Sequence, residues 1–560
     1  MKSKVYVAIM LSLLAITSKA QHSQEQKKFT RSDTLRGSIT KYRQGWDVKR
    51  YDLQVEVDII HRSITGSNTI TFLEQQPVTI MQVDLQEPML IDSIVSDSGK
   101  RLPFSREGNA WMIHLNETST AAHSPKERSI KVYYHGVPKQ AKNAPWDGGL
   151  VWASDKAGNP FVGTACQGLG ASVWWPCKDH QSDEPDRGMS ISITAPADLQ
   201  AISNGRLIST TPSANGTRTS NWQVVNPINT YAVTMNIGKY ANWKETYDGE
   251  AGSLDLEYWV LAENLDKAKK QFVQTKPMLK CFEHWFGKYP FYEDGFKLVE
   301  TPFLGMEHQS AIAYGNKYQN GYLGRDLSGS GWGLLWDYIL VHESGHEWFG
   351  NNITTQDIAD MWVHEGFTTY SETLYTECHS GKKAGFEYAA GIAGGIDNDR
   401  PVIGIYNVNK GGSGDMYPKG ATIIHTIRMM MNDDEKFRQL LRDMQQTFFH
   451  KITTSKEVEQ FIIDKTGLPL QAFFNQYLRT AQIPVVEFYK KGNSLSYRLT
   501  GHVKDFETPL IYSFENKRKV MTATSAWKTV TLPKDELAYW KPGAIENNLL
   551  LRFKQVPEQK

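Results

Sequence analysis

Two histidines one helical turn apart around a glutamate, His342-Glu343-Ser344-Gly345-His346, constrain this chain more than any other stretch. They sit in the mostly apolar run "ILVHESGHEWFGNN". On a helix, residues at i and i+4 project from one face, so both rings can bind one cation. Glu343 then stands about 100° round the helix, beside that cation, where it can act as a base. A catalytic zinc needs a third protein ligand and an open position, and two histidines with one glutamate are an established set. The helix-like segment "DIADMWVHEGFTTYSE" supplies Glu365. A plain solvated carboxylate would fit poorly there, beside Trp362 and Phe367. Glu372, two turns further on the same face, can either hold a ligand histidine's other nitrogen or face solvent.

Two neutral imidazoles and one carboxylate leave a divalent zinc with net positive charge, which lowers the pKa of its water towards about 7. Glu343 would take that proton and later deliver it to a leaving amine. The expected chemistry is amide hydrolysis with one Zn2+ per chain, held by His342, His346 and Glu365. The motif alone does not separate an internal cutter from an end trimmer. Glu307, in "TPFLGMEHQSAIAYGN", offers a carboxylate that could bind a substrate's free α-ammonium group. Such a charge-assisted bond fixes the cut one residue from the N-terminus. By spacing alone, Glu307 reads as a polar residue at a strand end.

The chain has 560 residues, too many for one compact domain. Residues 1–20 carry Lys2 and Lys4, the apolar "VYVAIMLSLLAIT" and small residues at a cut after Ala20, which reads as a signal peptide. The apolar stretch is too short to span a bilayer. Export to the periplasm or the extracellular space is therefore expected, with no stable membrane insertion once the signal is removed. A polar leader, 21–45, precedes a region of period-two alternation, 46–245, with runs such as "YDLQVEVDII" and "MSISITA". Helical periodicity dominates 246–482, with one strand candidate, "FKLVETPF", and a capping box at Thr454 and Glu457. Strand-like runs return in 483–560. The loops "NKYQNGYLGRDLSGSGWG" and "NVNKGGSGDMYPKG" are expected to border a site. With 62 Lys plus Arg against 61 Asp plus Glu, the net charge of +1 provides no field for nucleic acid. The four cysteines show no metal-knuckle spacing, and neither their pairing nor the oligomeric state follows from the sequence.

Four stretches in order resemble the gluzincin aminopeptidases, which include aminopeptidase N and the leukotriene-epoxide hydrolase. They are "ACQGLGASVWWPCKDHQSDEP", "LGMEH", "HESGHEWFGNNIT" with "DMWVHEGF", and "MYPKGATIIHTIR". The resemblance implies a multidomain α+β fold: an N-terminal β-rich saddle-like domain, a thermolysin-like, mainly helical catalytic domain and a small C-terminal β domain. It places Gly305, Met306 and Glu307 in the family's substrate-binding Gly-x-Met-Glu-Asn motif, and Gln167 at a second amine-contacting position. Tyr417, in the Tyr-x-Lys-Gly pattern, looks like the family's donor to the tetrahedral oxyanion. On its local chemistry Tyr417 would read as a turn residue at a helix start. Two departures stand out. His308 replaces the motif's asparagine, and the chain stops without the long helical domain of many relatives, which implies a more open site. The function implied is removal of N-terminal residues from peptides. The alternatives are epoxide hydrolysis of the leukotriene type, internal peptide cleavage, and a catalytically inactive binding protein on the same fold.

Overall fold

The computed structural model describes residues 29–115 and 125–558. The expected signal peptide and the start of the polar leader lie outside the described residues. The alternating half forms a seven-stranded sheet. Its order is Arg206–Pro212, Thr217–Val224, Met189–Pro196, Trp46–Asp58, Ser63–Glu74, Lys126–Gly136 and Leu90–Ser96. In Trp46–Asp58 the side chains of Leu53, Val55 and Val57 point into the core while Gln54, Glu56 and Asp58 face out, the period of two that the pleat dictates. A bulge between Val48 and Arg50 shifts the parity, so the buried set moves from Trp46 and Val48 to Tyr51 and Leu53. A four-stranded sheet contains the strand Pro160–Ala165, whose C-terminal end delivers Gln167. Both sheets share one apolar core with Trp174, Trp175 and Trp222.

The division expected at residue 245 falls inside the strand Tyr240–Gly249. That strand pairs along its whole length with Gly252–Leu261. The hairpin is the edge of a five-stranded sheet continuing through Phe296–Glu300, Ile312–Tyr314 and Gly305–Met306. It therefore belongs with the helical region, and the β half ends before Tyr240. Alternation marks a strand but does not say which sheet it joins. Phe296–Glu300 is buried at every position, as a central strand covered on both faces must be.

Against this sheet pack the helices Thr275–Phe286 and Tyr338–Gly345, with Trp362–Ser380 behind them and Pro418–Met431 against that helix in turn. Cys281 and Cys378 form a disulfide joining the first of these to the third, while Cys166 and Cys177 are buried thiols. The helix Ser455–Thr466 begins with the expected capping box: Thr454 Oγ1 accepts from Glu457 N, and the Glu457 carboxylate accepts from Thr454 N at 2.8 Å. The last segment forms a four-stranded sheet and the hairpin Thr508–Phe514 with Lys517–Ala523. The architecture is multidomain α+β. Residues of the C-terminal strands, Val486, Leu499 and Leu510 among them, lie in the same apolar cluster as the helices of the central region. Among the described residues no helix is long and apolar enough to cross a membrane.

Candidate metal centre and its two cavities

Asp337 caps the helix Tyr338–Gly345, and His346 is its last turn's boundary residue. His342 and His346 therefore present their rings from adjacent turns, with centroids 5.0 Å apart. Glu365 lies in the first turn of the neighbouring helix Trp362–Ser380. Its Oε2 stands 3.7 Å from His342 Nε2 and 3.2 Å from His346 Nε2. All three side chains are buried, and one donor atom from each falls within 4.8 Å of the others. The two helices approach closely because Gly345 has no side chain, as a Cβ there would meet Ser371 Oγ at 2.6 Å.

The outer nitrogen of each ring is already engaged. His342 Nδ1 lies 2.6 Å from Glu372 Oε1, and His346 Nδ1 lies 2.9 Å from the Phe349 carbonyl. Each Nδ1 thus carries the proton, which leaves each Nε2 lone pair directed at the cluster. Glu372, ambiguous in the sequence, is fully buried and also accepts from the Tyr388 hydroxyl at 2.7 Å. His364, next to Glu365, is turned away, with Nε2 accepting from Thr355 N at 2.8 Å.

Glu343 is buried beside the histidines, and burial pushes its carboxyl up to about 7. Gly305 passes directly over it: a Cβ there would stand 2.6 Å from Glu343 Oε1. The glycine is required by this close approach of strand to carboxylate. Tyr417, at the start of the helix Pro418–Met431, lies against His342 with ring centroids 6.1 Å apart. Burial, and the carboxylates of Glu365, Glu307 and Glu343 facing it, raise its hydroxyl well above the ordinary value, so it remains a donor. That helix crosses the Glu365 helix at Gly420 and Gly366, where a Cβ on Gly420 would meet Gly366 Cα at 2.8 Å.

Glu307 is buried, and Gln167 joins it to the cluster. The Gln167 amide donates to Glu307 Oε1 at 2.6 Å and to Glu365 Oε1 at 3.0 Å. Asn351 holds the Glu307 carbonyl at 2.9 Å, and Glu347 accepts from Ser310 N at 3.0 Å. This clamp fixes the turn after Glu307. His308, where the motif has asparagine, is fully buried with both ring nitrogens unpartnered among the described residues. Burial pushes its pKa down to about 3, so the ring is neutral.

Two cavities meet at the cluster. One, of about 460 Å³, is lined by Glu343, Gly305, Glu307, Tyr322, Leu327 and Ile392. The other, of about 240 Å³, is lined by Tyr231, Met361, Asn409, Arg36, Asp179 and Gln181. Gln167, Glu365, Tyr417 and Trp146 border both. Both loops expected to border a site do so, the first through Tyr322 and Leu327 and the second through Asn409 and Gly411. Trp146, Tyr231 and Arg36 escaped sequence reasoning. Trp146 is 64% exposed, a large apolar surface left in solvent at the junction of the cavities.

The residues fit a divalent metal. Glu365 Oε2 is buried without a hydrogen-bond donor among the described residues, and it faces two imidazole nitrogens whose lone pairs are unused. Two nitrogens and one carboxylate oxygen form a zinc donor set. Residues 272–477 match the model of the peptidase family M1 domain, and residues 48–232 that of the peptidase M1 N-terminal domain. The chain is 20% identical over 535 residues to the probable aminopeptidase 2 of Sulfurisphaera tokodaii, covering 90% of this chain and 64% of that one. It therefore spans under two thirds of that relative's length. It is 22% identical over 472 residues to the leukotriene A-4 hydrolase of Xenopus laevis, covering 79% of this chain and 73% of that one. In structure it is similar to a mutant M1 zinc metallopeptidase from Deinococcus radiodurans, with a TM-score of 0.65 at 20% identity, covering 78% of this chain and 95% of that one. A further structure of that mutant, bound to a Tyr-Ser-Ala substrate, gives a TM-score of 0.64 at 20% identity, with the same coverage of both chains. With the M1 N-terminal domain model covering Gln167 and the M1 domain model covering His342, His346, Glu365 and Glu307, and the two together matching well over half of the sequence, the chain belongs to peptidase family M1.

Proposed function

We propose that this protein is a zinc-dependent aminopeptidase, holding one zinc through His342, His346 and Glu365 and releasing the N-terminal residue of peptides. The observation that carries this reading is the Gln167 bridge between Glu307 and Glu365, which sets a second buried carboxylate immediately beside the ligands. A buried carboxylate there is matched by a substrate's α-ammonium group, and a chain extended on its N-terminal side would leave it unpaired. When bound, zinc supplies a Lewis acid that polarises the scissile carbonyl and makes water nucleophilic near neutral pH.

This chain's residues do the rest. Glu307 and Gln167 hold the substrate amine and so fix the register of the cut. Glu343 accepts the proton of the attacking water as its oxygen bonds to the carbonyl carbon, then gives that proton to the departing nitrogen as the C–N bond breaks. Tyr417 donates its hydroxyl hydrogen to the carbonyl oxygen as negative charge develops there. Gly305 and Met306 form a short strand alongside, whose backbone can pair with an extended peptide.

The test is a panel of aminoacyl anilides, each free and N-acetylated. Hydrolysis of the free forms alone supports the reading, and equal hydrolysis of the acetylated forms overturns it. A leukotriene-type epoxide assayed in parallel separates the activity named in the Xenopus relative. We further propose export to the periplasm or beyond, supported by the charged and apolar first twenty residues. N-terminal sequencing of the protein from fractionated cells should then begin at Gln21.

A further inference from the structure

Residues 30–43, upstream of the matched family domains, cross from the β half to the loop before Tyr417. Thr30 opens the helix Arg31–Gly37 with a capping box, in which the Asp33 carboxylate accepts from Thr30 N at 2.8 Å. A helix of seven residues is marginal by itself, so its position depends on what it touches. Leu35 packs with Ala110 and Met112. Arg43 is fully buried, pairs with Asp84, and donates to the carbonyls of Arg36 and Ser38 at 2.9 Å each. The Arg36 carbonyl lies in the last turn of the helix, where intrahelical donors run out, while the Ser38 carbonyl also accepts from Thr40 N at 3.0 Å. On the other side, Asn409 N donates to the Asp33 carbonyl at 3.2 Å. A Cβ on Gly37 would stand 2.1 Å from the Val408 carbonyl carbon. The segment is thus a strap fitted against both halves.

The strap carries Arg36 into the wall of the smaller cavity. Gly170 lets it pass, since a Cβ there would lie 2.1 Å from Arg36 Nη2. The Arg36 guanidinium faces Asp179 Oδ2 at 3.7 Å, beyond hydrogen-bond distance. That oxygen already accepts from Ser172 N at 3.2 Å. Asp357, another acid of the cavity, accepts from Ala359 N and Asn407 N with its two oxygens. The His180 ring lies 2.7 Å from Ser182 Oγ and 3.4 Å from the Gly37 carbonyl. Spare donor capacity among these charged groups therefore rests with Arg36.

On the aminopeptidase reading, the smaller cavity takes the side chain of the residue being removed. Gln167 borders both cavities, but Glu343, which must meet the departing nitrogen, borders only the larger one, and this leaves the smaller to the other side of the scissile carbonyl. We propose that Arg36 is a specificity-determining residue, whose guanidinium favours N-terminal residues ending in acceptor oxygens, glutamate and glutamine, over those ending in a cation. The strap is what holds it there.

The experiment compares wild type with Arg36→Met and Arg36→Lys on glutamyl, glutaminyl, leucyl and lysyl anilides. Arg36→Met should lower the glutamyl-to-leucyl ratio of kcat/KM by about tenfold, as expected for a lost charge-assisted hydrogen bond. Arg36→Lys should recover part of it. An unchanged ratio in a variant with wild-type zinc content overturns the proposal. Calorimetric titration of free glutamate and leucine into zinc-loaded Glu343→Gln, with and without each Arg36 substitution, gives a readout independent of turnover and of either variant's folding alone. A selective loss of glutamate affinity supports Arg36, and parallel changes for both amino acids oppose it. If wild type hydrolyses no anilide, the aminopeptidase reading fails, while the titration still decides the role of Arg36.

Discussion

Glu372 lies 2.6 Å from Nδ1 of His342, and it holds that ring in the tautomer that turns Nε2 towards Glu365. Replacing Glu372 with alanine frees the ring to rotate and leaves the Tyr388 hydroxyl without its acceptor. Zinc affinity should fall about 10- to 100-fold. Competition against a chelator of known affinity measures it, and an affinity matching wild type would show that Glu372 does not orient the ligand.

Glu343→Gln keeps the shape of the side chain under Gly305 but removes its capacity to take a proton. Turnover should fall by about 10²- to 10⁴-fold with zinc content intact. Metal analysis and anilide hydrolysis on one preparation check both halves of the expectation. Retained turnover would assign the proton transfer elsewhere.

Tyr417→Phe removes a donor that acts only as charge develops. The expected change is a drop in kcat of about a hundredfold with KM little altered. A change confined to KM would instead place Tyr417 among groups that bind the ground state.

Gly420→Ala should destabilise the site from a distance. Its added methyl would meet the Gly366 backbone at 2.8 Å, so the Tyr417 and Glu365 helices must separate. Overpacking of this kind costs about 1–3 kcal/mol. Thermal unfolding should shift down and kcat fall together. A stable variant with full activity would show that the crossing yields.

Glu184, buried between the two halves with Asn229 as donor at 3.3 Å, is pushed up to about 7 by burial. From its ordinary value of 4.5 to about 7, the folded chain binds the extra proton, so this group makes stability decline as pH rises through that window. Above about 7 its penalty is complete. Glu184→Gln should remove this slope and gain on the order of 3 kcal/mol at pH 8. Denaturant unfolding at pH 5 and 8 tests it, and parallel curves for both proteins would exclude the effect.

The convergence of His342, His346 and Glu365 could be read from the chain because both segments are local: one helical turn sets His342 against His346, and Glu365 sits in an equally plain helical pattern. Gln167 is visible only through resemblance, and Glu307, a candidate on its chemistry, reads by spacing alone as a polar residue at a strand end until the sheets converge. Tyr417 is similar, placed by a crossing of two glycines that no periodicity reveals. Arg36, Tyr231 and Trp146 reach the cavities through contacts between segments far apart in sequence. The strand Tyr240–Gly249 misled for a related reason, as its alternation is equally compatible with either neighbouring sheet.

The apolar cluster that runs without interruption from the helices of His342 and Glu365 into Val486, Leu499 and Leu510 means that the last β segment is not an appendage. Melting it would uncover Tyr477, whose ring packs on Phe506 and whose hydroxyl donates to the Leu550 carbonyl, so the two regions are expected to unfold together. A proteolytic nick within the tail would thus be felt as lost stability in the helices that carry His342, His346 and Glu365, rather than as the clean release of a separate module.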